Sequence, residues 1–208
     1  MIKRIIFDLD YTLLKPNYDK EHNFFKQFVS LDNEYFIHHM GEILREYETT
    51  YPKYELELFL KHINKYSNGI KIGKDFIDKW VLFSAELDIQ DTSIVKDVLS
   101  YLNGKYELVV LTNWLTEAQK KKLEKFDLLK YFEEVYGGDK CLKPFKESYQ
   151  MAIGSHKPEE CVMIGDNLNS DVIEAIKYGL QAIHYTNGKE VNHEYQKVKC
   201  LSELKKIL

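Results

Sequence analysis

Two acidic residues stand one residue apart at the end of an apolar run near the start of the chain. Asp8 and Asp10 follow Ile5-Ile6-Phe7, and Thr12 comes two positions after the second acid. A β-branched and aromatic run is typical of a strand buried on both faces. If the chain stays extended there, the two carboxylates point to the same side and repel each other, which favours a bound cation as their shared partner. A strand end whose Asp and Thr only cap a turn is the alternative.

Two later apolar runs, at 108–111 and 161–164, also predict strands, and polar residues follow each of them. These residues are Thr112 and Asn113 after the first run, Gly165, Asp166 and Asp171 after the second, and Lys143 between the two runs. Taken singly, each residue could belong to a turn, a helix cap or a solvated surface. The carboxyl ends of parallel strands meet at one edge of an open α/β sheet, so together these residues predict one shared site.

The elements that would position these residues alternate between helix and strand over most of the chain. Beyond Asp91 we predict helices at 95–102, 116–126, 146–155 and 169–178, strands at 107–112, 134–136, 161–164 and 180–184, and a loop or short helix at 187–199. This alternation indicates an α/β fold, a doubly wound parallel sheet with helices on both faces.

A different pattern occupies the stretch directly after the first strand. Between residues 20 and 87, aromatic and aliphatic residues recur at helical spacing in four sets, and no strand pattern interrupts them. We therefore predict a four-helix cap domain at 16–89, inserted into an α/β core domain formed by 1–15 and 90–208.

Composition excludes several classes of function. The chain has 208 residues, of which 44% are hydrophobic and 30% charged, and its formal net charge of −4 gives no reason to expect nucleic acid as a partner. No apolar run approaches the length of about 18 residues that would predict a membrane span. The N-terminus lacks the pattern of a signal peptide, and three widely spaced cysteines predict neither a disulfide framework nor a zinc knuckle. We expect a cytoplasmic protein; no sequence pattern indicates its oligomeric state.

The residue types indicate which ligand the predicted site would bind. Oxygen ligands with no His or Cys at suitable spacing favour Mg²⁺ over zinc. A magnesium ion combined with a lysine and neutral donors suits a phosphoryl group and the charge of its transition state. No glycine-rich phosphate loop is present, so Thr112, Asn113 and Lys143 are the candidates for holding the phosphate.

The order of these motifs resembles that of the haloacid dehalogenase superfamily, in its phosphatase branch with a small α-helical cap. The matching residues are Asp8, Asp10 and Thr12 for the first motif, Thr112 for the second, Lys143 before Pro144 for the third, and Gly165, Asp166 and Asp171 for the fourth. The predicted helical insert is similar to the cap that closes over the active site in this family. The resemblance extends from Asp8 to Asp171.

The resemblance implies a role for each residue. Asp8 would attack phosphorus and form an aspartyl-phosphate, and Asp10 would protonate the leaving oxygen and then activate water. The ligands of Mg²⁺ would be the Asp8 side chain, the Asp10 main-chain carbonyl and Asp166, with Asp171 in support. Thr12 would orient the loop, and Lys143 would help Asp8 to approach a phosphate dianion.

The same resemblance narrows the reaction. Dehalogenases proper lack the second acid and need no Mg²⁺, so Asp10 argues against dehalogenation. We expect a Mg²⁺-dependent phosphomonoesterase acting on a small phosphorylated metabolite, which could be a nucleoside monophosphate, a sugar phosphate, phosphoglycolate or flavin mononucleotide. The alternatives are a phosphotransferase or phosphomutase and, in a different class, a non-catalytic binding or regulatory protein of the same fold.

Other side chains are interpreted from their position alone. Tyr11, directly after the second acid, and Trp114, after the phosphate-binding pair, are candidates for lining the substrate pocket. The adjacent residues His38 and His39 are expected on different sides of a helix rather than as a metal-binding pair. The run Lys120-Lys121-Lys122 predicts a solvated helix face, and Thr116 and Gln119 have the spacing of a capping box.

Overall fold

A parallel sheet of six strands forms the centre of the computed structural model, which describes residues 1–87 and 91–208. The strands are β1 (Arg4–Phe7), β2 (Glu107–Leu111), β3 (Glu134–Tyr136), β4 (Cys161–Gly165), β5 (Gln181–Tyr185) and β6 (Lys197–Val198). Their order in the sheet is β3-β2-β1-β4-β5-β6, and every pairing is parallel. β1 therefore lies between β2 and β4, and the predicted doubly wound sheet is confirmed.

Alternate residues of β1 pack on opposite faces of the sheet. Ile5 and Phe7 belong to a buried cluster with residues of α6 (Ser93–Asn103), while Ile6 belongs to another with residues of α8 (Lys146–Ile153). This alternation follows from the period of two in a strand. It explains why the three buried positions Ile5, Ile6 and Phe7 are all apolar, since both faces of the strand are covered there.

Helices of the α/β part follow the strands in the expected alternation. Besides α6 and α8 they are α7 (Thr116–Lys125), α9 (Glu174–Lys177) and α10 (Leu204–Ile207), and a π-helical segment, Leu168–Ile173, precedes α9. Within the described ranges, none of the helices has the length and apolar composition needed to cross a membrane.

Two elements predicted in the last 40 residues of the sequence differ from those in the structure. The helix predicted at 169–178 is π-helical in its first half, where the Asn167 side chain accepts hydrogen bonds from the backbone nitrogens of Asn169 and Ser170. The stretch 187–199, predicted as a loop or short helix, contains β6, in which Lys197 pairs with His184 of β5. A two-residue strand carries almost no hydrophobic pattern, so only its pairing reveals it.

Five helices, rather than the predicted four, lie between β1 and residue 87. They are α1 (Asp19–Phe25), α2 (Glu34–His38), α3 (Met40–Thr50), α4 (Leu56–Ile63) and α5 (Lys74–Ala85). The predicted second helix is divided at His39, whose φ of −118° and ψ of 23° are not helical. Apolar spacing continues across this break, but two histidines and Gly41, all of modest or low helix propensity, surround it. His38 and His39 bond different acids, Glu34 and Glu42, as expected for surface residues.

The helical segment has an aromatic core of its own. Its largest fully buried side chains are Phe25, Phe36, Tyr47, Phe59, Phe76 and Trp80. Apart from Leu142, every buried member of this cluster lies between residues 24 and 80. This supports the predicted division into a core domain and a cap domain, which stays a prediction; its boundary between 89 and 90 lies outside the described residues.

Candidate active site

Three carboxylates meet at the carboxyl ends of β1 and β4. Asp8 directly follows β1, Asp166 directly follows β4, and Asp171 lies in the π-helical segment after β4. One carboxylate oxygen from each residue lies within 4.8 Å of the other two. Because β1 and β4 are adjacent and parallel, their ends must lie side by side. The structure thus brings together acids that are more than 150 positions apart in the sequence.

The ammonium group of Lys143 lies between two of these acids. Its Nζ donates hydrogen bonds to Asp8 Oδ1 at 2.8 Å and to Asp171 Oδ1 at 2.6 Å, and the side chain is almost completely buried. Burial alone would lower the pKa of Lys143, but the carboxylates of Asp171 and Asp8 outweigh it and raise that pKa above its ordinary value. Lys143 is therefore held in its charged form.

The hydroxyl group of Thr12 connects the ends of β1 and β4. It accepts a hydrogen bond from the backbone nitrogen of Asp166 at 3.1 Å and donates one to Asp8 Oδ2 at 3.1 Å. The side chain is buried. This geometry supports the loop-orienting role that the family resemblance implies, since one hydroxyl fixes the positions of two acids.

Gly165 leaves room for the carboxylate of Asp171. A β-carbon at this position would lie 2.1 Å from Asp171 Oδ2, which is far closer than such atoms can approach. The same oxygen accepts a hydrogen bond from the backbone nitrogen of Asn167 at 3.0 Å. Only glycine fits so close an approach, which gives the Gly-Asp pair at the end of β4 a steric explanation.

Asp10 has partners that differ from those of Asp8. Its Oδ2 accepts a hydrogen bond from Gln119 Nε2 at 2.8 Å, and its Oδ1 accepts one from Lys122 Nζ at 2.9 Å. Burial together with the charge of Asp10 raises the pKa of the neighbouring Tyr18 well above its usual range. Gln119 and Lys122 hold Asp10 at the cavity wall, between the sheet and the helical segment.

Lys122 is buried, so the predicted solvated face of the Lys120-Lys121-Lys122 run is wrong at its third residue. Its side chain has no exposed surface and pairs with Asp10, whereas those of Lys120 and Lys121 are both 38% exposed. Lys122 and Gln119 lie one turn apart on the buried face of α7, which also carries Ala118 and Leu123. Polar residues at the core-facing positions of an amphipathic helix are the signal that could have identified both.

The predicted capping box of Thr116 and Gln119 does not form. Leu115 occupies the N-cap of α7 and has no side chain that could cap it, and the backbone nitrogen of Thr116 donates to Asp139 Oδ1 instead. Thr116 Oγ1 also donates to Asp139 Oδ1 at 2.6 Å. Gln119 turns inward and its Nε2 bridges Asp10 and Thr112. The active-site acid, a stronger partner than a backbone N–H, decides the orientation of Gln119.

The two predicted phosphate-binding residues after β2 differ in how many protein hydrogen bonds their side chains already make. Thr112 lines the cavity, and its Oγ1 accepts a hydrogen bond from Gln119 Nε2 at 2.8 Å. The Asn113 side chain is fully engaged: Oδ1 accepts from the Lys143 backbone nitrogen, and Nδ2 donates to the Lys143 carbonyl and to Glu48 Oε2. Asn113 also lines the cavity, and its role in binding phosphate stays a prediction. Asn113 positions the loop that carries Lys143.

A cavity of about 550 Å³ lies between the carboxyl ends of the strands and the helical segment. From the α/β part, its lining includes Asp8, Asp10, Thr112, Asn113, Trp114, Lys122 and Lys143; from the helical segment, it includes Tyr18, Glu21, Leu44, Arg45, Glu48 and Trp80. Both parts of the chain thus form its walls. Its size suits a small metabolite.

Of the two aromatic pocket candidates, Trp114 lines this cavity and Tyr11 does not. The Trp114 ring packs against Trp80 with 4.6 Å between centroids, and its Nε1 donates to Ser84 Oγ at 3.1 Å. Tyr11 is 46% exposed and packs against the ring of Tyr18 outside the set of residues that line the cavity. That Tyr11 contacts the substrate stays a prediction.

Glu21 is a buried acid in the cavity wall that the motifs did not indicate. It lies on α1, is 9% exposed, and its Oε1 accepts a hydrogen bond from the indole nitrogen of Trp80 at 2.7 Å. Burial raises the pKa of Glu21 to about 7, against the opposing effects of the Trp80 hydrogen bond and of Lys122. Its place on the buried face of α1, beside Phe24 and Phe25, was the available signal.

We expect Glu21→Gln to stabilise the ligand-free protein more at about pH 8 than at about pH 5, by about 2 kcal/mol. The pKa in the folded state, about 7, lies above the ordinary value of 4.5. The contribution of Glu21 to stability is therefore complete below about pH 4.5 and is lost as the pH rises through 7. Glutamine keeps an acceptor for Trp80 but has no charge to desolvate. Urea unfolding of both proteins at the two pH values measures the effect, and an equal difference at both would contradict it.

The donor set of the three clustered acids fits a divalent cation. Asp8, Asp166 and Asp171 supply carboxylate oxygens, the ligands that a hard cation such as Mg²⁺ prefers. Three carboxylates against the single ammonium of Lys143 leave two negative charges when all are ionised. Burial raises the pKa of Asp8, and Asp171 and Asp166 raise it further against the opposing effect of Lys143. The raised pKa of Asp8 indicates that the negative charge of the three acids is not fully balanced by Lys143. A divalent ion would neutralise the remainder.

Comparison with known proteins agrees with this geometry. The model of the family "haloacid dehalogenase-like hydrolase" matches residues 5–185. A glyceraldehyde 3-phosphate phosphatase from Pyrococcus furiosus is 25% identical in an alignment that covers 100% of this chain and 92% of the relative.

Solved structures share the fold over nearly the whole chain. A HAD hydrolase from Bacillus subtilis bound to magnesium has a TM-score of 0.72 at 19% identity, covering 99% of this chain and 98% of the other. An L-2-haloacid dehalogenase from Xanthobacter autotrophicus has a TM-score of 0.73 at 15% identity, covering 100% and 98%. At such identities the likeness shows the fold alone. The family match, which extends from β1 through β5, shows more: this chain belongs to the haloacid dehalogenase-like hydrolases and is an enzyme of that family.

Proposed function

We propose that this enzyme is a Mg²⁺-dependent phosphomonoesterase that hydrolyses a small phosphorylated metabolite through an aspartyl-phosphate on Asp8. The observation that carries the proposal is the cluster of Asp8, Asp166 and Asp171, in which Lys143 bonds Asp8 and Asp171, beside a cavity that Asp8, Asp10 and Lys143 line. The Pyrococcus furiosus relative, whose name is that of a phosphatase, supports phosphate-ester chemistry.

The proposed metal ligands are the side chains of Asp8 and Asp166 and the main-chain carbonyl of Asp10. Asp171 would support them, since it is held by Lys143 and by the backbone of Asn167. When bound, Mg²⁺ would supply positive charge that offsets both the acids and the phosphate oxygens.

Asp8 is the proposed nucleophile. One of its carboxylate oxygens forms a bond to phosphorus as the bond from phosphorus to the ester oxygen breaks, so the phosphoryl group moves onto the enzyme. Thr12 and Lys143 bond different oxygens of Asp8 and so fix the plane of its carboxylate. The Lys143 ammonium also lies where negative charge accumulates during this step, and it stabilises that charge.

Asp10 is the proposed general acid and base. Its proton passes to the leaving oxygen, which departs as an alcohol; in the second step Asp10 takes a proton from water as that water attacks phosphorus. Inorganic phosphate leaves, Asp8 is restored, and Asp10 is again protonated. Gln119 and Lys122 hold the Asp10 carboxylate at the cavity wall through both steps.

Phosphate-ester hydrolysis fits this site better than dehalogenation does. The departure of a halide requires no proton, so the anchored carboxyl group of Asp10 would have no task in that reaction.

We also propose a cytoplasmic location, which is supported by three cysteines that are all free thiols.

The proposal is tested with purified protein and a panel of sugar phosphates, nucleoside monophosphates and phosphoglycolate. We expect release of inorganic phosphate from at least one of these classes in the presence of Mg²⁺, loss of that release with EDTA, and its return with excess Mg²⁺. No release from any ester with Mg²⁺ present would contradict a phosphatase. Transfer of the phosphoryl group to an added sugar phosphate, without matching release of inorganic phosphate, would identify a phosphotransferase instead.

A further inference from the structure

We infer that Glu21 binds the substrate by accepting a hydrogen bond from a hydroxyl group on the carbon skeleton that carries the phosphate. The substrate class is then a hydroxylated phosphate ester, such as a polyol or sugar phosphate. This inference rests on the proposed phosphatase function, and it assigns recognition of the leaving group to a residue of the helical segment.

One oxygen of Glu21 is occupied and the other is available. Oε1 accepts the indole N–H of Trp80 at 2.7 Å, and no donor to Oε2 is found among residues 1–87 and 91–208. The residue is 9% exposed and lines the cavity that contains Asp8 and Asp10. A ligand in this cavity therefore has access to a carboxylate oxygen to which none of the described residues donates a hydrogen bond.

A structural role would not require an acid at this position. The Trp80 N–H needs one acceptor, which the neutral amide of glutamine would supply equally well. A buried carboxylate carries a desolvation cost that an ion pair normally offsets. The nearby ammonium of Lys122 donates to Asp10, and no ion pair with Glu21 is found in the described part of the chain. The acid is better explained by a ligand.

Glu48, a half-buried acid that lines the same cavity, provides an informative contrast. Its Oε1 accepts from the Tyr54 hydroxyl at 2.6 Å and its Oε2 accepts from Asn113 Nδ2 at 3.1 Å. Both of its oxygens thus have protein donors, so Glu48 is explained by its role in holding the wall. Glu21 differs from Glu48 because only one of its carboxylate oxygens accepts a hydrogen bond from the described residues.

The surroundings of Glu21 define the group that would bind it. The carboxylate of Glu21 repels an anionic group of a ligand. The positive charge of Lys122, which lowers the pKa of Glu21, disfavours a cationic group at the same place. A neutral donor remains, and on a phosphate ester that donor is a hydroxyl group. The packed rings of Trp80 and Trp114 form an apolar wall beside it for the carbon skeleton.

The test compares matched esters that differ in their hydroxyl groups. The two pairs are glycerol 3-phosphate with n-propyl phosphate and ribose 5-phosphate with n-pentyl phosphate. We expect the wild-type kcat/KM to favour the hydroxylated member of at least one pair by about tenfold or more, since a site built for a hydroxyl rejects an analogue that lacks it. We expect Glu21→Gln to reduce that preference by about fivefold, because a charged acceptor becomes a neutral amide.

The alkyl esters act as the internal control for folding and chemistry. Glu21→Gln should lower kcat/KM for the hydroxylated ester about fivefold more than for its alkyl partner, whereas a purely structural role would lower both members of a pair equally. Glu48→Gln is the matched control variant, and its preference ratio should equal that of the wild type whatever its absolute rates. An unchanged ratio in Glu21→Gln, or an equal loss on both esters, would overturn the inference. Absence of hydrolysis of every ester would instead refute the phosphatase proposal.

Discussion

Replacing Asp8 with Asn is expected to lower the rate of phosphate release by at least about 10⁴-fold, because the amide cannot form the covalent intermediate. Asparagine has nearly the same shape as aspartate, and its Oδ1 can still accept a hydrogen bond from Lys143, while its Nδ2 can donate to the Thr12 hydroxyl oxygen in place of the bond that Asp8 accepts there. The loss should therefore appear in kcat without a matching loss of folded protein. Phosphate release under saturating Mg²⁺ and a urea unfolding curve measure the two quantities.

A surface acid supplies the control for this variant. Asp97 is well exposed and pairs with Lys205 far from the cavity, so Asp97→Asn should keep wild-type activity. If Asp8→Asn retained more than about one-hundredth of the wild-type rate, covalent catalysis by Asp8 would be contradicted, since the rest of the site cannot replace a nucleophile to that extent.

Replacing Lys143 with Met is expected to destabilise the protein by about 3–5 kcal/mol in EDTA, because it leaves buried acids without their cation. Lys143 is 4% exposed and bonds both Asp8 and Asp171. Saturating Mg²⁺ should restore a larger part of the stability to this variant than it adds to the wild type, since binding to the folded state alone stabilises it. Phosphate release should still be greatly reduced, because the ammonium is also needed for the charge of the transition state.

Lys122→Met provides the matched control for this experiment. Lys122 is equally buried but bonds Asp10 rather than the three clustered acids. Its removal should destabilise the protein without increasing the response to Mg²⁺. Unfolding curves of the three proteins with EDTA and with Mg²⁺ measure both effects. A Lys143→Met variant as stable as the wild type in EDTA would contradict the role of Lys143 as the counter-charge of the acids.

The parts of the site predicted from sequence follow from local rules. Asp8 and Asp166 stand directly after apolar runs, and parallel strands bring such positions to one edge whatever the loops between them do. Thr12 is four positions from Asp8, and Gly165 is six positions from Asp171. Each pair therefore lies within one short sequence motif. Lys143 lies outside the strands and was placed by its resemblance to a family motif.

The parts that were missed or corrected depend on contacts between distant segments. Lys122 appears solvated within a run of three lysines, and only the packing of α7 beside Asp10 shows that it is buried. Asn113 lies at the site, as expected, but its amide bonds the Lys143 loop and Glu48, a choice among polar partners that spacing does not encode. Glu21 is held in the cavity wall by a hydrogen bond from Trp80, which is 59 positions away in the sequence.

The central claim is that a phosphoryl group is transferred to Asp8 before it reaches water. The most direct measurement is rapid acid quench of the wild-type enzyme during turnover with Mg²⁺, followed by borohydride reduction, which converts an aspartyl-phosphate to homoserine, and peptide mass spectrometry. The account predicts homoserine at position 8, with no such product in Asp8→Asn or in EDTA. Steady phosphate release with homoserine absent from position 8, or present at Asp10 instead, would contradict it.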